Sequence, residues 1–69
     1  MPFRILITLK DQTVKEDPRI YYGSVPVPRE LITLEIDGHL LRVRVTAITG
    51  GTKQDGSVHV EYRVLAVEL

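Results

Sequence analysis

Ile32-Thr33-Leu34-Glu35-Ile36-Asp37-Gly38-His39-Leu40-Leu41-Arg42-Val43 is the stretch that decides the fold. Alternating apolar and polar residues flank Asp37-Gly38, a pair suited to a two-residue type I′ hairpin turn, whose two central residues both need positive φ. Such a turn makes paired positions sum to 75. Ile36 then faces His39, Leu34 faces Leu41 and Ile32 faces Val43, which gathers aliphatic side chains on one face. Thr33 with Arg42 and Glu35 with Leu40 fall on the other. A slip of one residue would send the aliphatic set to the wrong side, so the pattern specifies its own register. Pro28 followed by Glu30 also suits the first turn of a helix, but a helix leaves the register match unexplained.

The pattern extends in both directions. Upstream, Phe3, Ile5, Ile7 and Leu9 share one parity and Arg4, Leu6, Thr8 and Lys10 the other, as in a strand with one apolar and one mixed face. Downstream, residues 50–56 close a second hairpin. With Asp55-Gly56 at its tip, paired positions sum to 111, so Val45 opposes Ala66 and Ala47 opposes Val64. The final run is apolar at Val58, Val60, Tyr62 and Val64, then at Leu65, Val67 and Leu69. That change of phase predicts a bulge or bend at Val64-Leu65, and Gly50-Gly51 marks a further irregularity. Residues 11–30 are polar and interrupted by Pro18, Pro26 and Pro28. They read as an irregular segment in which residues 19–22 form one short edge strand.

Composition agrees: Val, Ile and Thr number 21 of the 69 residues and Ala only two, a balance that favours strand over helix. The expectation is a single all-β domain over residues 1–69, a small antiparallel sheet of four or five strands. Its alternative form is closure into an SH3-like small barrel, a comparison resting on length and strand spacing alone and carrying no function.

Other readings are narrowed by what the chain lacks. Nine Lys and Arg balance nine Asp and Glu, and there is no cysteine, hence no disulfide framework, Cys-based zinc site or thiol nucleophile. The start of the chain has no signal-peptide pattern, and no apolar run approaches the roughly 20 residues of a membrane span. The expected location is the cytoplasm, with no membrane contact. His39 and His59 have no local cluster of further ligands for a metal. Asp37 and Asp55 occupy turn positions, where Asp is favoured for local hydrogen bonding. Gly50-Gly51-Thr52-Lys53 lacks the order and the strand-to-helix context of a phosphate loop. A domain of this size has little room for a catalytic pocket. No catalytic residue, metal, cofactor or small-molecule substrate is therefore expected, and the chain reads as a non-enzyme.

The second sheet face resists so plain an account. Leu6, Leu31, Leu40, Ile48, Leu65, Val67 and Leu69 all carry the parity opposite to the obvious core. Exposed together, they would form an apolar patch of the kind that marks an interaction site. Three things could cover it: residues 10–30 folding back, barrel closure at the Val64-Leu65 bend, or a second chain. The third makes Leu65, Val67, Leu69, Leu40, Ile48 and Leu6 a candidate interface with a protein partner or a second copy in a homodimer. The alternative is a nucleic-acid surface built from Arg42, Arg44 and Arg63 with Tyr21 and Tyr22 for stacking. Zero net charge weakens that alternative, because phosphate attraction dominates nonspecific binding.

Overall fold

The computed structural model describes residues 2–53 and 60–69. Its elements are all strands: β1 Pro2–Thr8, β2 Val14–Glu16, β3 Tyr21–Tyr22, β4 Leu31–Ile36, β5 His39–Lys53 and β6 Val60–Glu68. They form one sheet in the order β2-β1-β6-β5-β4, with β3 pairing the start of β1.

The β4–β5 hairpin has the register that the sequence implies, from Ile36↔His39 through Leu34↔Leu41 to Leu31↔Arg44. Asp37 and Gly38 both have positive φ, 53° and 79°. A Cβ placed at Gly38 would meet nothing within 4 Å, so the cost of a side chain there is backbone strain alone. Gly38→Val puts a β-branched residue in the left-handed region and should lower stability by about 1–2 kcal/mol. A urea midpoint equal to that of the wild type would contradict the turn.

Two features depart from the expected antiparallel sheet. First, β1 and β6 run parallel, in register from Phe3↔Tyr62 to Thr8↔Val67, so the sheet is mixed. Alternation has the same period in either strand direction, which is why the sequence pattern is silent on this point. Second, residues 11–30 hold two short strands, giving six among the described residues. The β1–β2 turn uses a left-handed Gln12, φ 73°, in place of glycine. Leu9 N–H donates to the Thr13 carbonyl at 2.8 Å, and the Thr13 N–H and hydroxyl both donate to Asp11 Oδ1, at 3.0 and 2.5 Å. Those two bonds hold the Asp11 carboxyl below its usual range and make a compact three-residue turn from polar side chains.

Along β5–β6, the sum of 111 holds for Val43↔Glu68, Arg44↔Val67 and Val45↔Ala66. A bulge then intervenes between Val45 and Ala47, so that Ala47 faces Leu65 and Ile48 faces Val64. A further shift falls between Thr49 and Thr52, spanning Gly50-Gly51 as expected. The phase change read at Val64-Leu65 therefore lies on the partner strand. In β6 itself, Val64 and Ala66 stay buried and Tyr62 packs on the same core. An extra residue on β5 turns its side chains over while β6 continues straight. The Asp55-Gly56 tip, Val58 and His59 lie outside the described residues.

Phe3, Ile5, Ile7, Leu34, Ile36, Val43, Val45, Val64 and Ala66 form the core on the inner face, with Val25 and Ile32 packed against it. The sheet curls around this core without closing. Its two edges are linked by side chains: Lys15 on β2 pairs with Asp37 in the β4–β5 turn, and Arg19 Nη2 donates to the Glu35 carbonyl of β4 at 2.7 Å. The closed-barrel alternative is thus not the form adopted. No helix of the described residues is long and apolar enough to cross a membrane.

Candidate functional site

Strand pairing assigns side chains to the outer face row by row. One row runs Val14, Thr8, Val67, Arg44, Leu31 across all five strand positions, from one sheet edge to the other. The next runs Glu16, Leu6, Leu65, Ala47. Leu6, Leu65 and Val67 are half-buried by their neighbours. Val14 and Leu31, at the two ends of the first row, remain 63 % and 53 % exposed. Leu40, paired with Glu35, and Leu69, whose N–H donates to the Arg42 carbonyl at 2.9 Å, are exposed as well.

Five of the six residues expected at a protein interface therefore lie outside the core. Ile48 does not: the β5 bulge turns it inward against Val64, and it packs on the core. Val14 also joins this face, although its three-residue strand in a polar segment carries too little alternation to signal it. Residues 10–30 do not fold over this face; β2 and β3 extend the sheet beyond β1. Leu65 and Val67 also lie outside the curl of the sheet rather than within a barrel.

Arg42 and Arg44 project from the same face of β5, exposed, beside Thr33 and Leu31 respectively. Arg63, also exposed, pairs with Arg4 and Thr49. Arg4 is engaged by Glu61 at 2.5 Å and Glu16 at 3.7 Å, whereas Arg42, Arg44 and Arg63 have no ion pair among the described residues. The two tyrosines are separated. Tyr22 is exposed opposite Pro2 on the outer side. Tyr21 points inward, its ring stacked on Phe3 with centroids 5.3 Å apart, so it is unavailable to the arginine face.

Tyr21 belongs instead to a buried polar cluster. Asp17, whose side chain has no exposed surface, accepts bonds from Arg19 N–H at 3.1 Å, Arg19 Nε at 3.0 Å, Arg19 Nη2 at 3.0 Å and the Tyr21 hydroxyl. Burial pushes the Asp17 carboxyl up, but the combined donors prevail and hold it below its usual range. Burial and the Asp17 hydrogen bond push the Tyr21 hydroxyl up to about 12. With its donors and acceptors matched, the cluster serves to fasten the open side of the sheet.

Among the described residues the surface includes two open depressions. One, of about 240 Å³, is lined by Thr49, Gly50, Glu61 and Arg63; the other, of about 180 Å³, lies beside Asp17, Arg19 and Asp37. Among the described residues no group of three or more His, Asp or Glu is placed to hold a metal ion. No protein-family model, curated protein or solved structure matches the chain.

Proposed function

We propose that this chain is a non-catalytic interaction module that docks a protein on the outer face of its sheet, most simply a second copy of itself stacked face to face. The observation that supports this is the row Val14, Thr8, Val67, Arg44, Leu31, whose three aliphatic members are backed by Leu6 and Leu65. A patch of this kind gains from being removed from water at about 25 cal/mol per Å² of apolar area. A two-fold contact uses it twice. Equal numbers of acidic and basic side chains leave little net repulsion between copies.

Val67 is central to the row and lies between Thr8 and Arg44, so a glutamate there has a cation beside it and the fold should survive. Val67→Glu should lower the assembly state read by light scattering between about 10 μM and 1 mM, the range of weak association. A mass unchanged from the wild type at every concentration would overturn the face-to-face reading. A second reading, binding of nucleic acid, rests on the three arginines without ion pairs. It is the weaker of the two, since aliphatic residues rather than aromatic ones surround Arg42 and Arg44, and single-strand binding relies on stacking.

A further inference from the structure

We infer that a second copy of this chain also joins the molecule at the open edge of β4, pairing antiparallel about a two-fold axis at Thr33 so that two sheets become one. The contact shares Leu31 and Arg44 with the face-to-face docking but uses the backbone edge of β4 and does not depend on it.

The argument begins with the direction of the β4 backbone groups. In a two-residue hairpin the residues flanking the turn, here Ile36 and His39, form a hydrogen-bonded pair, and such pairs alternate along the ladder. Ile32 and Leu34 therefore also turn their N–H and C=O groups toward β5, while those of Leu31, Thr33 and Glu35 turn away from it. The Arg19 guanidinium reaches the Glu35 carbonyl from the opposite sheet edge, as that orientation requires. Strand β4 ends the sheet, and no proline, lysine or bulge interrupts its six residues. Arg19 covers only the Glu35 end, while Leu31 and Thr33 are exposed.

Self-complementarity identifies the occupant. A two-fold axis at Thr33 makes paired positions sum to 66, setting Leu31 of each copy opposite Glu35 of the other. Each Glu35 then arrives on the outer face near Arg44 and Arg42, which flank Leu31 and Thr33. Glu35, Arg42 and Arg44 have no ion pair among the described residues, so both copies bring matching charges to the seam. On the inner face, Ile32 meets Leu34 of the second copy, giving its half-exposed side chain an apolar neighbour. The Glu35 carbonyl has a second lone pair for the new strand. An unrelated strand could use the same backbone groups, but only a second copy satisfies the charges reciprocally.

Thr33→Pro tests the edge directly. The Thr33 N–H faces away from β5, so proline removes no bond within the chain, and edge positions tolerate proline. Thr33→Cys supplies an independent measurement, because the chain has no other cysteine. The proposed axis places the two Cα atoms about 5.5 Å apart, within disulfide range. Expected results are a Thr33→Cys dimer on mild oxidation, no cross-linking of a Thr49→Cys control, and a Thr33→Pro mass half that of the wild type. Without a Thr33→Cys cross-link, or with a wild type that is monomeric at about millimolar concentration, the edge contact is overturned. The two contacts are distinguishable. If only the face contact exists, Val67→Glu yields a monomer and Thr33→Pro leaves the mass unchanged; if only the edge contact exists, the effects are exchanged. If both exist, only the double variant is monomeric. Should Thr33→Pro fail to fold, the cross-link decides.

Discussion

Asp17→Ala should destabilise the fold by about 2 kcal/mol, the loss expected when a buried acceptor is taken from the Tyr21 hydroxyl and from a half-exposed Arg19. For a chain of 69 residues, total stability of about 3–10 kcal/mol makes this a large fraction. The carboxylate accepts from three groups of Arg19 and from the Tyr21 hydroxyl, and its own N–H donates to the Ile5 carbonyl at 2.9 Å. Alanine leaves the Tyr21 hydroxyl without its acceptor in a largely apolar setting. It also frees Arg19 from the position in which it reaches Glu35. Asp17→Asn keeps the shape and removes the charge, so its loss should be smaller. Urea unfolding of the three proteins gives the comparison; an Asp17→Ala loss below about 1 kcal/mol would mean that the cluster contributes little.

Alkaline pH should reveal the same cluster from its other side. Tyr21 is pushed up to about 12 because burial and the neighbouring carboxylate both oppose a phenolate. The folded chain thus holds this proton more tightly than the unfolded chain, whose tyrosine titrates near 10. The resulting stabilisation is complete below pH 10 and is lost as pH rises toward 12, amounting to about 2 kcal/mol across that window. Asp17 works in the opposite sense. Its lowered value makes its contribution present above the ordinary carboxyl range, to be lost only as pH falls below about 4. Circular dichroism in urea at pH 9, 10 and 11 should show a progressive decline. Tyr21→Phe should keep the stack on Phe3 and flatten that decline. An equally steep fall in the variant would assign the alkaline loss to other groups.

What could be read from the residues follows from how local each signal is. The β4–β5 hairpin needs only twelve consecutive residues and one turn with a strict backbone requirement, and its register is recovered pair by pair. The alternation of β1 is equally local, and Phe3, Ile5 and Ile7 are buried. Errors begin where an element is defined by its neighbour. A bulge on β5 and a bend in β6 produce the same mismatch of parity, so alternation alone does not say which strand carries the shift or which face Ile48 takes. The direction in which β1 meets β6 leaves no trace in alternation. Strands β2 and β3 are short additions to β1 whose turn and anchor are made by Asp11, Asp17 and Arg19, polar residues that read as loop. Most outer-face residues were identifiable because a strand with two apolar parities conflicts with an ordinary half-buried sheet. Adjacent strand residues face opposite ways, so only one of Tyr21 and Tyr22 can accompany the arginines, and Tyr21 is the one turned to the core.

The sheet order gives β6 a particular place in time as well as in space. Among the described residues it is the one strand through which the β1–β3 part of the sheet is joined by backbone pairing to the β4–β5 part. The two hairpins can form early from nearby residues, but β1 finds its parallel partner only across nearly the whole length of the chain, as in Phe3↔Tyr62. Closing so long a loop carries an entropy cost before any of its contacts can compensate, and folds rich in such pairs assemble slowly, in milliseconds to seconds. Until β1 docks on β6, the facing edges of these two strands remain unpaired strand templates. The interval before that last addition is when a newly made chain is most exposed to pairing with the wrong neighbour.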